Sequence, residues 1–123
     1  MQNALLYLAS PFSHLDPAVR ERRFQAACRV AAELTRKGRI VFSPIVYSYS
    51  LCQHGLPLDW EFWQPYDLAF LAMCEEVVVL KLDGWEQSIG IQGEIAAAKA
   101  LGKRVSFVDA SDEVNGSGET SLL

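Results

Sequence analysis

The sequence is poor in cysteine, histidine and basic residues. Its 123 residues include 3 cysteines, 2 histidines and 11 Lys and Arg against 15 Asp and Glu, for a formal net charge of −4. The cysteines are odd in number and form no CxxC pair, which predicts reduced thiols and excludes a disulfide framework. This acidic balance argues against binding to a nucleic acid polymer, which usually needs a concentrated basic face, but it does not exclude a small anionic ligand.

Long apolar runs are also absent. No stretch approaches the ~20 apolar residues of a membrane span, and the N-terminal MQNALLYLAS lacks the basic region of a secretory signal. We therefore expect no membrane association and a cytoplasmic protein. Half of the residues are hydrophobic, which is typical of a folded chain. The length predicts a single domain, which we place at residues 1–108, followed by a polar tail at 109–123.

Several nucleotide, hydrolase and metal motifs are missing. The chain has no GxGxxG, no GxxxxGK[ST], no GxSxG and no HExxH, which disfavours dinucleotide-binding domains, P-loop NTPases, nucleophile-elbow hydrolases and zincins. His14 and His54 lie in loops without metal-ligand spacing. We expect neither a metal nor an organic cofactor.

Apolar runs and helical periodicities alternate along the chain. Strands are predicted at 4–9, 39–43, 77–82 and 103–108, and helices at about 17–37, 59–73 and 89–101. This alternation predicts an α/β fold, a flavodoxin-like three-layer sandwich with a parallel sheet of at least four strands. Residues 45–59 show no clean period, and we interpret them as a long irregular loop.

Ligands of such sheets bind outside the carboxyl ends of the strands, where the strand order reverses. Three segments are expected to meet there, each following a predicted strand. They are Ser10, Pro11 and Phe12 after the first strand, Ser43 and Pro44 after the second, and Asp83, Gly84 and Trp85 after the third.

The acidic residues near this edge have structural as well as functional interpretations. Glu94 flanks the buried face of its helix, yet an acid early in a helix also complements the helix dipole. Asp67 fits a helix start equally well, and Asp83 fits a turn. Glu75 and Glu76 are interpreted as a solvated turn.

Other polar and aromatic residues leave similar alternatives. Ser88 fits a helix N-cap. Arg20 faces the crevice, where an anion clamp and a surface residue are equally good interpretations, whereas Arg22 and Arg23 are expected to point into solvent. Aromatic side chains that could stack on a planar base, or pack in the core or a subunit interface, crowd one region. They are Tyr47, Tyr49, Trp60 and Trp63.

Three blocks together resemble the nucleoside 2-deoxyribosyltransferase superfamily, nearest its small, poorly characterised bacterial members. YLASPF (7–12) is similar to that family's opening strand and loop. YDLAFLAMCEEVVVLKLDGW (66–85) resembles its Asp-bearing helix, hydrophobic strand and DG turn. SIGIQGE (88–94) resembles the segment that ends in the family's nucleophilic glutamate.

The resemblance implies a role for each matching position. Glu94 would be the nucleophile, Tyr7 would steady its carboxylate, and Asp67 would lie near the base or its leaving nitrogen. Ser88, in the same segment as Gly90, stands where nucleoside transferases usually have aspartate. Serine at that position is found in related hydrolases of deoxynucleoside monophosphates, where it helps to hold the phosphate.

The implied function is cleavage or transfer of the N-glycosidic bond of a 2′-deoxyribonucleoside or its 5′-monophosphate through a covalent glycosyl-glutamate. Both substrate classes are retained, because SPFSHLDP replaces the glycine-rich phosphate loop of the monophosphate hydrolases. We expect a homo-oligomer, since related folds complete their sites with a neighbouring subunit. The alternatives are a non-catalytic nucleoside- or nucleotide-binding module and an oligomeric interaction protein that uses the aromatic loop 45–63.

Overall fold

The computed structural model describes residues 4–109, so the predicted polar tail lies outside the described residues from 110 onward. The strands are β1 (Leu5–Ala9), β2 (Ile40–Phe42), β3 (Glu76–Lys81) and β4 (Arg104–Asp109). The helices are α1 (Pro17–Arg36), α2 (Pro44–Cys52), α3 (Trp60–Met73) and α4 (Ile89–Ala100), with a 3₁₀ turn at Trp85–Gln87 before α4.

All four strands are parallel, in the order β2-β1-β3-β4. The predicted α/β fold with a four-stranded parallel sheet is therefore confirmed, and each strand lies within a residue or two of its expected position. The strand order reverses between β1 and β3, which pair with Tyr7 opposite Val77. A crevice is expected at the carboxyl ends of these two strands.

Side chains of the central strands alternate between two helical layers, as the twofold period of a strand requires. Leu6 and Leu8 pack on one face with Ala26 and Val30 of α1. Tyr7 and Ala9 point to the other face, where the core includes Leu71 of α3 and Ile91 and Ala98 of α4. Tyr7 therefore belongs to the layer of α3 and α4.

Each helix begins at a side chain that accepts a hydrogen bond from its first turn. The four caps are Asp16 on Ala18 N (2.9 Å), Ser43 on Val46 N (3.2 Å), Asp59 on Phe62 N (3.1 Å) and Ser88 on Ile91 N (3.2 Å). Ser43 and Ser88 follow strands directly or after one short turn. They fix the starts of α2 and α4 beside the crevice.

The predicted irregular loop 45–59 is wrong over most of its first half, because α2 occupies Pro44–Cys52. Pro44 stands at the first helical position, where its fixed φ suits a helix start. The helix packs on several sides: Tyr47 contacts Phe42, with ring centroids 5.9 Å apart, and Tyr49 contacts Phe24 at 4.5 Å. Apolar contacts on several sides conceal the period that a one-sided helix shows.

The predicted solvated turn at Glu75 and Glu76 is wrong for Glu76. This residue begins β3 and is 9% exposed. Its carboxylate forms an ion pair with Arg39, and Arg104 Nε lies 3.7 Å from its Oε1. A buried carboxylate needs such partners.

Across residues 4–109, none of the helices combines the length and apolarity needed to cross a lipid bilayer.

Candidate functional site

A cavity of about 1020 Å³ opens at the carboxyl ends of β1 and β3, and we call it the main cavity. Its walls come from the segments after these two strands and from all four helices. The lining side chains include Ser10, Phe12, Trp60, Asp67, Ser88 and Glu94. The expected crevice is therefore present and holds residues that lie far apart in the sequence.

Glu94 is the most buried acidic side chain of this cavity, at 4% exposure. It is the sixth residue of α4, on the face that also buries Ile91 and Ala98. The hydroxyl of Tyr7, which is fully buried in β1, donates a hydrogen bond of 2.5 Å to Glu94 Oε2. Glu94 lies beyond the first turn of α4, so a helix-dipole role does not account for its position.

Burial raises the pKa of Glu94 to about 8. The negative charge of Asp67 raises this pKa further, whereas the hydrogen bond from Tyr7 opposes the rise because it favours the ionised carboxylate. No Lys or Arg within residues 4–109 forms an ion pair with Glu94. Its charge is therefore stabilised chiefly by one phenol, and a proton competes for it near neutral pH.

Asp67 is the second acid of the cavity. It is the eighth residue of α3, too far along the helix for a helix-start role, and it is half-buried. Burial raises the pKa of Asp67 to about 7. Its charge raises the pKa values of both Glu94 and Tyr7, which shows that the three groups interact. Two acids that each hold a proton near neutral pH can divide the roles of acid and nucleophile.

Six of the other predicted site residues also line the main cavity. They are Ser10, Phe12, Asp83, Gly84, Ser88 and Gly90. Two others do not line it: Pro11 is fully buried, and Trp85 packs on Phe107 with ring centroids 5.5 Å apart.

The arginines of α1 differ from expectation. Arg20 does not line the main cavity, because its guanidinium bonds the backbone oxygens of His14 and Leu15 beside a smaller neighbouring pocket. Arg23, which was expected to point into solvent, instead lines the main cavity and bonds Ser13 O (3.0 Å) and Asp83 O (2.8 Å). Arg22 also lines the main cavity. The long arginine side chain reaches around the helix, so helical position alone gives the wrong location for Arg20 and Arg23.

Trp60 is the aromatic side chain that links the two acid-bearing helices. A Cβ atom on Gly93 would lie 2.8 Å from its Cζ2, and one on Gly90 would lie 3.3 Å from its Cε3. The indole of α3 therefore rests against a glycine face of α4. The spacing of these glycines is visible in SIGIQGE, but their aromatic partner is not.

The remaining aromatic residues have mainly structural partners. Trp63 is buried and donates from Nε1 to Pro57 O at 2.7 Å. Tyr49 donates to Glu21 Oε1 at 2.8 Å, whereas Tyr47 is half exposed on α2. In the part of the chain that the structure describes, no group of three or more His, Cys, Asp or Glu side chains could hold a metal ion.

Comparison with known proteins identifies one matching family and two similar solved structures. Residues 4–110 match the family model described as "Domain of unknown function (DUF1937)". The structure resembles a 2-deoxyribosyltransferase from the psychrotolerant bacterium Bacillus psychrosaccharolyticus, with a TM-score of 0.60 and 24% identity over 96% of this chain and 77% of that one.

A second solved structure is a 2-desoxiribosyltransferase from Leishmania mexicana. It matches with a TM-score of 0.55 and 16% identity over 86% of this chain and 64% of that one. No curated protein matches the chain. At these identities the two structures establish a shared fold.

Proposed function

Because the chain belongs to the DUF1937 family and has the fold of two 2-deoxyribosyltransferases, we propose that it acts on the N-glycosidic bond of a 2′-deoxyribonucleoside or its 5′-monophosphate. One observation carries the proposal: the buried Glu94, without an ion pair in residues 4–109, lines the main cavity together with Asp67 and accepts a hydrogen bond from Tyr7. The buried carboxylate of Glu76 has cationic partners, as a structural role in the interior requires, whereas Glu94 has none among the described residues.

The first chemical step forms a glycosyl-enzyme. The ionised carboxylate of Glu94 attacks C1′ of the sugar as the bond from C1′ to the base nitrogen breaks, through an oxocarbenium-like transition state. Asp67 donates its proton to the departing base, directly or through a water molecule. The products of this step are a neutral base, an ionised Asp67 and an ester between C1′ and Glu94.

The second step releases the sugar. Water or an acceptor base attacks C1′ of the ester, Asp67 accepts the proton from the attacking atom, and Glu94 leaves as a carboxylate. Two inversions at C1′ give net retention. The same residues serve hydrolysis and transfer, and the second nucleophile decides between them.

Tyr7 is a positioning residue in this scheme. Its hydroxyl bonds Oε2 of Glu94, so we assign the attack on C1′ to Oε1. The bond also favours the ionised carboxylate, which is the reactive form. Among the predicted substrate-binding residues, we retain as contacts the six that line the main cavity, with Trp60 as a surface for base stacking.

We also propose a cytoplasmic homo-oligomer. Large apolar side chains remain exposed on α2 and α3, including Tyr47 at 49%, Tyr66 at 52% and Met73 at 58%. Exposed apolar groups on neighbouring helices favour a subunit contact. Analytical ultracentrifugation tests this, and a monomer at all concentrations would contradict it.

The proposed function is tested by incubating the protein with deoxynucleosides and with their 5′-monophosphates. Chromatography measures the free base that is released. We expect release by the unchanged protein and none from Glu94→Ala. Glu86→Ala is the matched control, because Glu86 is an exposed acid near the start of α4 that does not line the main cavity. A 2′-fluoro nucleoside should add its sugar to the peptide that contains Glu94, detected by mass spectrometry.

Two results would contradict the proposal. One is no base from any substrate, and the other is equal release from Glu94→Ala. Thermal stabilisation by nucleosides without turnover would then favour the non-catalytic binding module. Loss of assembly on replacing Tyr47 or Tyr66, without any ligand effect, would favour an interaction protein.

A further inference from the structure

Arg23 joins the two segments that frame the main cavity. Its Nη1 donates to Ser13 O after β1, and its Nη2 donates to Asp83 O after β3. The side chain is half-buried and lines the cavity. The two carbonyls fix the plane of the guanidinium, so its charge is held in place before any ligand arrives.

Gly84 makes this position possible. A Cβ atom there would lie 2.8 Å from Arg23 Nη2, and the backbone has a φ of +88°. Both the close approach and the left-handed backbone favour glycine. The turn after β3 is therefore shaped around the guanidinium.

Other donors line the same cavity beside Arg23. Arg22 and His14 contribute to the wall. The backbone N–H of Asp16 donates to His14 Nδ1 at 3.0 Å, so the neutral ring carries its proton on Nε2 as a further donor. We call Arg22 and Arg23 the cationic wall.

Ser10 is an independent sign of a missing partner. Its residue is 6% exposed and lines the main cavity, yet its Oγ is buried without a hydrogen-bond partner among residues 4–109. A buried hydroxyl without a partner is costly, and a ligand can satisfy it. Beside the cavity, α4 begins with Ile89 and Gly90, and the N-terminus of a twelve-residue helix favours an anion.

Four acidic residues line the same cavity and oppose these donors: Asp59, Asp67, Asp83 and Glu94. The charge of Asp83 acts on Arg23 and raises the pKa of its guanidinium, against the larger lowering by burial. Asp83 is therefore the acid that acts on Arg23. Asp67 and Glu94 interact with each other and with Tyr7.

From this arrangement we infer that the cationic wall, Ser10 and the start of α4 form a subsite for a phosphate dianion carried on the sugar of the substrate. Arginine binds phosphate oxygens through two parallel hydrogen bonds, and a serine hydroxyl and helix N–H groups supply the remaining donors. Of the two substrate classes proposed above, the subsite favours the 2′-deoxyribonucleoside 5′-monophosphate over the nucleoside. The identity of the substrate rests on the proposed function, whereas binding of a phosphate at this subsite does not depend on it.

A base-free probe tests the subsite. In Glu94→Gln protein, which should not turn over, we measure binding of 2-deoxyribose 5-phosphate and of 2-deoxyribose by calorimetry. We expect the phosphate ester to bind at least about tenfold more tightly, since hydrogen bonds to a charged group contribute most. Adding Arg23→Gln should weaken binding of the ester by about tenfold or more.

Arg20→Gln is the matched control. It removes the same charge from the same helix and also breaks bonds to loop carbonyls, but it lies outside the main cavity. We expect it to change affinity for the ester by less than about twofold. Ser10→Ala should weaken binding of the ester. It should not lower the midpoint temperature of unfolding, because it removes a hydroxyl that has no hydrogen-bond partner among the described residues. Asp83→Asn should tighten binding.

Inorganic phosphate distinguishes the two sources of the anion. If it binds as tightly as the ester and depends equally on Arg23, the phosphate subsite stands but belongs to a free phosphate. Equal affinities for 2-deoxyribose and its 5-phosphate would overturn the inference of a phosphate subsite. Equal losses of affinity for the ester in Arg23→Gln and Arg20→Gln would also overturn it.

Base release separates this inference from the proposed function. Glu94-dependent release without any preference for monophosphates would overturn the inference alone. Phosphate binding without any base release would overturn the proposed function alone.

Discussion

Two buried glutamates lie at opposite ends of the sheet and differ in their partners. Glu76 begins β3 at the amino end and pairs with Arg39 and Arg104. Glu94 lines the main cavity at the carboxyl end, where its bonded partner is the hydroxyl of Tyr7. Both are at most 9% exposed, so burial alone does not separate them.

The difference lies in what balances the negative charge. Arg39 and Arg104 pair with the Glu76 carboxylate within the fold, where it joins β3 to the start of β2 and to β4. At Glu94 a proton competes for the same role, because burial raises its pKa to about 8. A carboxylate that exchanges a proton near neutral pH is suited to chemistry, whereas an ion-paired carboxylate is suited to structure.

The largest expected contrast is between Glu94→Gln and Glu76→Gln. Glu94→Gln should lower base release by at least about 10³-fold, because it removes the proposed nucleophile. It should raise the free energy of unfolding at pH 7 by up to a few kcal/mol, because the neutral amide avoids the proton uptake that Glu94 needs on folding. Chromatographic assay and urea unfolding measure the two effects.

Glu76→Gln should do the opposite. Loss of the buried carboxylate leaves Arg39 without its partner and should lower the free energy of unfolding by about 1–3 kcal/mol. The rate of base release should stay within about twofold of the unchanged protein. A large loss of activity here, with none in Glu94→Gln, would invert the comparison.

The next effect is a dependence of stability on pH. In the folded protein the pKa values of Glu94 and Asp67 rise from 4.5 and 3.8 to about 8 and about 7. The folded state thus holds these protons more tightly than the unfolded chain does. The resulting stabilisation is complete below about pH 4 and is lost progressively as the pH rises from about 4 to about 8, amounting to several kcal/mol.

Urea unfolding from pH 4 to 9 measures this loss. Glu94→Gln and Asp67→Asn should each flatten the curve, and the double variant should flatten it most. Glu76→Gln is the control that should leave the slope between pH 6 and 8 unchanged. An identical slope in all four variants would contradict the assignment of the protons.

Opposite shifts of the pKa of Glu94 are expected from changes at its two neighbours. Tyr7→Phe removes a hydrogen bond to the ionised form, so the pKa of Glu94 should rise. Asp67→Asn removes a negative charge, so the pKa of Glu94 should fall. The carboxylate band of Glu94, followed with pH in infrared difference spectra against Glu94→Gln, measures both shifts.

The pKa of Glu94 is the critical measurement and not the rate, because Asp67→Asn also removes the proposed acid and lowers the maximum rate. Shifts of both variants in the same direction would contradict the electrostatic account.

The smallest effect tests packing instead of charge. Gly93→Ala places a methyl group 2.8 Å from Trp60 and must displace the indole, whereas Gly90→Ala meets it at 3.3 Å. We expect about three- to tenfold lower kcat/KM for Gly93→Ala and less than about threefold for Gly90→Ala. Equal effects, or none, would show that Trp60 does not set the cavity wall.

Much of the fold follows from the sequence, because buried parallel strands read as short apolar runs between amphipathic helices. The helix α2 could not be predicted in this way, because its contacts on several sides remove the one-sided period of an amphipathic helix. Glu76 was missed because two adjacent glutamates resemble a solvated turn, and its partners Arg39 and Arg104 are remote in sequence. Pairing across a sheet is not visible in local patterns.

The site divides in a similar way. Glu94, Asp67 and Tyr7 could be selected by resemblance to a known family, and the topology predicts that strand ends converge. The position of Arg23 could not be predicted, because the reach of its side chain and the two carbonyls that hold it depend on the folded loops. The Asp83-Gly84 pair was a visible signal of a turn, but not of what the turn accommodates.

The placement of Tyr7 in the middle of β1 ties strand alignment to reactivity. Alternate residues of β1 face opposite helical layers. A slip of β1 by one residue against β3 would therefore turn the phenol toward α1 and leave Glu94 without its hydrogen bond. In a refolding experiment, recovered turnover would thus report the correct register of the two central strands, which secondary-structure content alone does not detect.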